Sequence, residues 1–219
     1  MTSLRSSAIR RTLLFLLTVV VAPGCLVLSV SPAYDDESIA WDPGLVGAWE
    51  DLDDKASIQV ERGEWKSYKI HYTYTIETGD VTGYLTTIGD QRYLDVTTAR
   101  GEDRGSFLIP VHAILRVRLE GDTLQLTPLG YDWFYDRISH QKAVPGLPAV
   151  LDQKQNALIV APTAAVRAWI KAQVPDGPMF GAAATFVRKA ESGQRKANSG
   201  QPEANPKRIA AREAHHPRR

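Results

Sequence analysis

Strict alternation of apolar and polar positions runs through the middle of the chain. Between Tyr68 and Glu77, the residues Tyr68, Ile70, Tyr72, Tyr74 and Ile76 share one face, and Lys69, His71, Thr73, Thr75 and Glu77 share the other. A period of two means a strand with one buried and one wet face. Ala56 to Arg62 reads as a shorter strand. Val81 to Ile88 and Tyr93 to Thr98 read as a hairpin turning at Gly89-Asp90. From Val111 to Glu120, Ala113, Leu115, Val117 and Leu119 point inward, while Arg116, Arg118 and Glu120 point out. Gly121-Asp122 then turns the chain into a return strand over Thr123–Thr127. In Gly130–Ile138, alternation puts Tyr131, Trp133 and Tyr135 on one face and Asp132, Phe134, Asp136 and Ile138 on the other, which predicts a strand engaged on both sides. Short strands are expected at Ala157–Val160 and Ala184–Arg188.

The period changes once. Val166, Trp169, Ile170 and Val174 follow helical spacing behind Pro162-Thr163, with Arg167 and Lys171 on the outer side. Thr163 is the expected N-cap, and Pro175-Asp-Gly-Pro178 ends the helix. The pattern predicts a mainly β domain over 44–189 with about 8–9 antiparallel strands and one C-terminal α-helix. Gly47-Ala-Trp49, at the head of this run, matches the Gly-x-Trp pattern on the first strand of lipocalin-like barrels. The domain resembles that family, which implies an antiparallel β-barrel with Trp49 packed across its closed end. Tyr68, Tyr72, Tyr74, Tyr131, Trp133 and Tyr135 become candidate ligand-lining residues.

The N-terminus follows another pattern. Arg5, Arg10 and Arg11 precede an apolar run from Leu13 to Ala22, and Cys25 is the single cysteine in the 219 residues. A basic segment, a short apolar stretch and small residues are the anatomy of a secretory signal. With Ala22-Pro-Gly-Cys25 at the cut, the segment resembles a bacterial lipoprotein signal, in which the cysteine is acylated and becomes the new N-terminus. That resemblance implies a signal peptide over 1–24, a membrane anchor at Cys25, and an address in the bacterial envelope. Leu at position 26, rather than Asp, implies outer-membrane sorting facing the periplasm. Two other outcomes stay open. Leu13 to Val30 is 18 residues, near the lower limit for an uncleaved span, and simple cleavage would release a soluble domain. Residues 25–43, polar and acidic after Val30, read as a tether.

Charge narrows the partners. Removing 1–24 takes three arginines from 26 basic and 25 acidic residues, leaving 23 against 25, or −2. Residues 190–219 carry seven basic and three acidic side chains, so the rest bears −6. An acidic body excludes a nucleic-acid footprint, which needs a basic face on the folded part. The tail has no aromatic residue and Ile209 as its one larger aliphatic, which predicts disorder.

No catalytic set emerges. On a strand, Asp132 and Asp136 would lie roughly 13 Å apart, beyond the ~6.5–9.5 Å of an inverting glycosidase pair. Ser139-His-Gln-Lys142 matches Ser-x-x-Lys without the companion motifs. His71, His112 and His140 are scattered, and a single cysteine makes no zinc cluster. No metal or cofactor is expected. A buried carboxylate with a strongly shifted pKa beside His71 or His112 would reopen the enzyme reading. Two functions remain: a barrel that binds a small or amphipathic ligand, or a filled barrel that docks an envelope protein. A solvent-reaching cavity above about 300 Å³ favours the first.

Overall fold

The computed structural model of the chain describes residues 26–51, 56–74, 77–98, 109–174 and 176–190. The expected signal segment, Cys25, the acidic residues after Asp51 and the basic tail beyond Ala190 lie outside them. The strands are β1 (Val27–Ser29), β2 (Ile39–Ala40), β3 (Gly47–Asp51), β4 (Ser57–Arg62), β5 (Ser67–Thr73), β6 (Thr78–Ile88), β7 (Gln91–Thr98), β8 (His112–Glu120), β9 (Thr123–Pro128), β10 (Ala149–Leu151), β11 (Ala157–Ile159) and β12 (Ala184–Arg188). The helices are α1 (Tyr131–Ser139) and α2 (Thr163–Lys171).

Strands β3 to β9 pair antiparallel in sequence order. Strand β12 then pairs antiparallel with both β9 and β3. The sheet therefore closes into an eight-stranded lipocalin-like barrel, as the resemblance implied, from the antiparallel strands that the alternation predicted. Closure leaves no exposed edge among these strands. Ile58, Val60, Ile70, Leu94, Val117, Leu124 and Phe186 are buried in the inner cluster.

Three residues lock the closed end. Trp49 is fully buried, and its indole N–H donates to the Leu45 carbonyl at 3.0 Å. Leu45 ends a short 3-10 turn, Pro43–Leu45. The Arg188 guanidinium lies 4.1 Å from the Trp49 ring centroid. It also donates to the carbonyls of Val46 (2.9 Å) and Gly44 (2.7 Å), and to Asp122 (3.0 Å). The last strand is thus tied to the first. Gly47 sits at φ 143°, where only glycine is unstrained, and a Cβ there would stand 2.5 Å from Arg188 Nη1. This is the physical content of Gly-x-Trp here.

A second core lies outside the barrel. Ile88, Tyr93 and Ile114 project from the outer wall and meet Val27, Phe134, Leu147, Ile159, Val166, Trp169 and Ile170. Here β1 pairs antiparallel with the start of β8 and parallel with β11, which pairs with β10. Four expectations change as a result. Residues 26–43, expected as a tether, belong to the fold: β1 and β2 are strands, and Ala33 is fully buried. Arg116 does face away from the barrel, but the second core covers it. It is buried against the Phe180 ring at 4.5 Å. Thr163 is the first residue of α2 and Pro162 its N-cap, without a side-chain cap bond. Val174 lies past the helix end and is exposed.

The largest departure is Tyr131–Ser139, expected as a strand and found as α1. Its side chains pair at four-residue spacing. The Tyr131 and Tyr135 rings are 5.4 Å apart, Arg137 lies 4.3 Å over Trp133, and His140 Nδ1 is 3.2 Å from Asp136 Oδ1. Neighbours at i, i+4 stabilise a helix and have no counterpart on a strand. Phe134 is the fully buried member, wedged against Trp169 at 5.6 Å.

Gly47→Ala is expected to destabilise the fold by about 1–3 kcal/mol through backbone strain. Arg188→Ala is expected to cost about 1.5–3 kcal/mol, the range for hydrogen bonds to a charged group. Urea unfolding of both variants checks this, and a neutral Arg188→Ala would remove the clasp from the account.

Candidate functional site

The barrel holds a cavity of about 400 Å³. Its floor is set by the closed end: Leu45, Tyr68, Leu124 and Phe186 are buried there. Ile58, Val60, Ile70, Val81, Leu94, Val96, Ala113, Leu115 and Leu126 make the wall. Leu26, Tyr74 and Glu77 line the rim and are exposed. Nearly every lining group is apolar because period-two alternation sends one side of each strand inward.

Tyr68 is the polar exception at depth. Its hydroxyl accepts from the Asp42 backbone N–H (2.8 Å) and donates to the Asp42 carbonyl (3.1 Å). Its ring stacks on Trp41 at 4.6 Å. The residue therefore seals the cavity against the segment before β3, with its oxygen already used. Burial pushes the Tyr68 phenol above its ordinary 10.0, reinforced by the charge of Asp42 and opposed by the Asp42 backbone bond and Arg92. Nearer the rim, the Tyr72 hydroxyl donates to Glu77 Oε1 at 3.2 Å. Gly79 faces Tyr72 across β5–β6, and a Cβ there would stand 2.6 Å from the hydroxyl. Glycine is what lets the Tyr72 ring lie flat on the neighbouring strand. Tyr74 meets Tyr72 edge-on at 6.1 Å.

The six aromatic candidates divide into two groups. Tyr68, Tyr72 and Tyr74 line the cavity. Tyr131, Trp133 and Tyr135 do not, because α1 carries them outside the barrel: Tyr131 and Trp133 pack on the second core, and Tyr135 is exposed. Leu26, Glu77 and Phe186 join the lining without having been singled out as site residues. Period two could have found Phe186, but Leu26 was hidden by the tether reading.

The polar constellations resolve separately. His71 pairs with Asp80 at 2.9 Å on the exposed outer wall. His140 pairs with Asp136. Asp132 and Asp136 are helical neighbours, with Cβ atoms about 5–6 Å apart, so the strand separation expected from the sequence does not apply. Both are exposed, and Asp136 is engaged by His140 and Lys142. Ser139 closes α1 rather than opening a helix. Among the described residues, no three His, Cys, Asp or Glu side chains converge as a metal site.

His112 does have a buried carboxylate. Asp95 is fully buried, with Oδ1 2.7 Å from His112 Nδ1 and Oδ2 accepting the Ala33 backbone N–H at 2.7 Å. The nearest nucleophile in register is Ser29, paired with His112 across β1–β8. Its hydroxyl donates instead to the Ser31 carbonyl at 2.6 Å. Both carboxylate oxygens of Asp95 are thus committed, and the pair pins residues 29–34 to the barrel wall.

No protein-family model, no curated protein and no solved structure matches this chain. Among the described residues, no helix is long and apolar enough to cross a membrane.

Tyr68→Phe is expected to cost about 1–3 kcal/mol, because it leaves the part-buried Asp42 N–H and carbonyl without their partner. A second expectation follows from linkage. Burial raises both Tyr68 and Tyr93 on folding. A phenol raised in the folded state contributes stability fully below its unfolded value near 10 and loses it as pH climbs through the folded value. Urea midpoints should fall above about pH 10, and less steeply in Tyr93→Phe. An unchanged slope in that variant would refute the assignment.

Proposed function

We propose that this chain is a bacterial envelope lipoprotein, anchored by acylated Cys25 on an outer membrane facing the periplasm, whose barrel binds a small or amphipathic ligand without catalysis. The single observation that carries the ligand reading is the apolar cavity of about 400 Å³ with an exposed rim. That volume falls within the ~300–1,000 Å³ of small-molecule sites. The lining suits an apolar body, and Glu77 with the Tyr72 hydroxyl offers polar contacts where a ligand's polar end would emerge. An open interior weighs against the alternative of a filled barrel acting only as a docking subunit.

The folded N-terminus adds a geometric consequence. Leu26 lines the rim, and Cys25 is one residue earlier, about 3.8 Å along the backbone. An acylated Cys25 would hold the cavity's rim near the lipid surface with no spacer between. Two or more acyl chains suffice for stable attachment, at about 0.8 kcal/mol per buried methylene.

Two experiments test the two parts. Cys25→Ser is expected to move the protein from the detergent phase to the aqueous phase. A variant that stays membrane-bound would replace the acyl anchor with an uncleaved helix. Ala113→Trp fills the cavity from the wall. It is expected to weaken saturable binding of the fluorescent probe 1-anilinonaphthalene-8-sulfonate by at least about tenfold, or 1.4 kcal/mol. Equal binding by both proteins would remove the cavity as the site.

A further inference from the structure

Three hairpins turn the chain at the closed end of the barrel, and each contains a residue in the left-handed conformation. The β6–β7 turn uses Gly89 at φ 66°, and the β8–β9 turn uses Gly121 at φ 58°. The β4–β5 turn uses Trp65, at φ 53°. A bulky side chain at positive φ is a true outlier. Glycine would meet the same backbone demand without strain, as it does in the other two turns. Burial does not repay the strain, since Trp65 is 59% exposed. Strain that burial does not recover points to what the side chain does outside the fold.

The Trp65 ring lines a groove of about 450 Å³ on the outer wall of β5 and β6. Glu64, Lys69, Asp80, Thr82 and Tyr84 line it with Trp65. Several of these groups are held in place. Tyr34 packs on Tyr84 at 4.5 Å, and His71 holds Asp80 at 2.9 Å. Lys66 Nζ lies 5.6 Å from the Trp65 centroid while donating to the Ile39 carbonyl at 3.0 Å, which fixes the hairpin to the segment at β2. The chemistry differs from that of the barrel cavity: an exposed aromatic ring beside two carboxylates, an ammonium group and hydroxyls.

We propose that this groove binds a saccharide, with the Trp65 indole as the platform for one pyranose ring. A pyranose presents an apolar C–H face and a rim of hydroxyls. The indole face takes the first by apolar contact, and Glu64, Lys69, Asp80 and Thr82 supply donors and acceptors for the second. A nucleotide base could stack equally well, but Glu64 and Asp80 would repel its phosphate in a body already carrying −6 over residues 25–189. A purely apolar ligand would leave those charges desolvated and unpaired. The site is independent of the barrel's ligand and of the anchor.

The test uses the full processed chain. Trp41, Trp49, Trp133 and Trp169 are buried or half-buried, so a change in tryptophan emission on adding sugar reports mainly on Trp65. Cellotriose, maltotriose and chitotriose are titrated to about 10 mM, which reaches affinities weaker than 1 mM. At least one is expected to shift the emission saturably. Trp65→Gly, followed by calorimetry, is expected to weaken that binding at least tenfold while the melting temperature holds or rises. Trp65→Phe should keep part of the binding. If none of the three sugars shifts the emission, or if Trp65→Gly binds as well as the parent, the site is overturned. A clear fall in melting temperature in Trp65→Gly would also overturn it, because the ring would then be serving the fold.

Discussion

Closure of the sheet by β12 is the constraint on which everything else rests. This five-residue strand pairs with β9 on one side and β3 on the other. An eight-stranded barrel has an interior just wide enough to be filled by side chains or to hold one small ligand. Arg188 makes the closure specific, because one guanidinium covers Trp49 and binds the backbone on both sides of Leu45. The plug at one end and the opening at the other are consequences of the same joint. Loss of the joint would expose two strand edges and the apolar interior together.

The barrel does not stand alone. A second apolar core on its outer wall gathers α1, α2, β1 and β11. Polar clasps fasten the N-terminal segment to it. Arg167 donates to the Ala33 carbonyl (2.7 Å), Ser38 (3.0 Å), Thr86 (3.1 Å) and the Thr87 carbonyl (3.1 Å). Asp95 takes the Ala33 N–H from the other side. Residues 26–43 are therefore structural, and the rim of the cavity begins where the described chain begins. Under the proposed function, an acylated Cys25 would therefore be coupled to the site in a way that a flexible spacer would not allow.

Much of the barrel was legible because period two is a strong local signal. Tyr68, Ile70 and Tyr72 on β5, and Ala113, Leu115 and Val117 on β8, face inward as the alternation requires. The Gly-x-Trp tripeptide carried more than its length suggests, since Gly47 is required by φ and by Arg188. What failed was local pattern overridden by tertiary packing. Alternating aromatics in Tyr131–Tyr135 imitate a strand, yet four-residue pairs and the burial of Phe134 decide for a helix. The polar run after Val30 imitates a tether, yet its polar groups bind Arg167 and Asp95. Arg116 and Arg167 were assigned to solvent because nothing local announces a second core. The strained Trp65 leaves no trace in a hydropathy pattern at all.

The interior can serve as a ligand site or as a core, and the proposed function requires the first. Native mass spectrometry of the protein, purified from cells without denaturation, distinguishes the two. A ligand site should give a discrete added mass that disappears on solvent extraction and is lost in Ala113→Trp. A clean unliganded mass from cells, with no apolar probe taken up on addition, would contradict it.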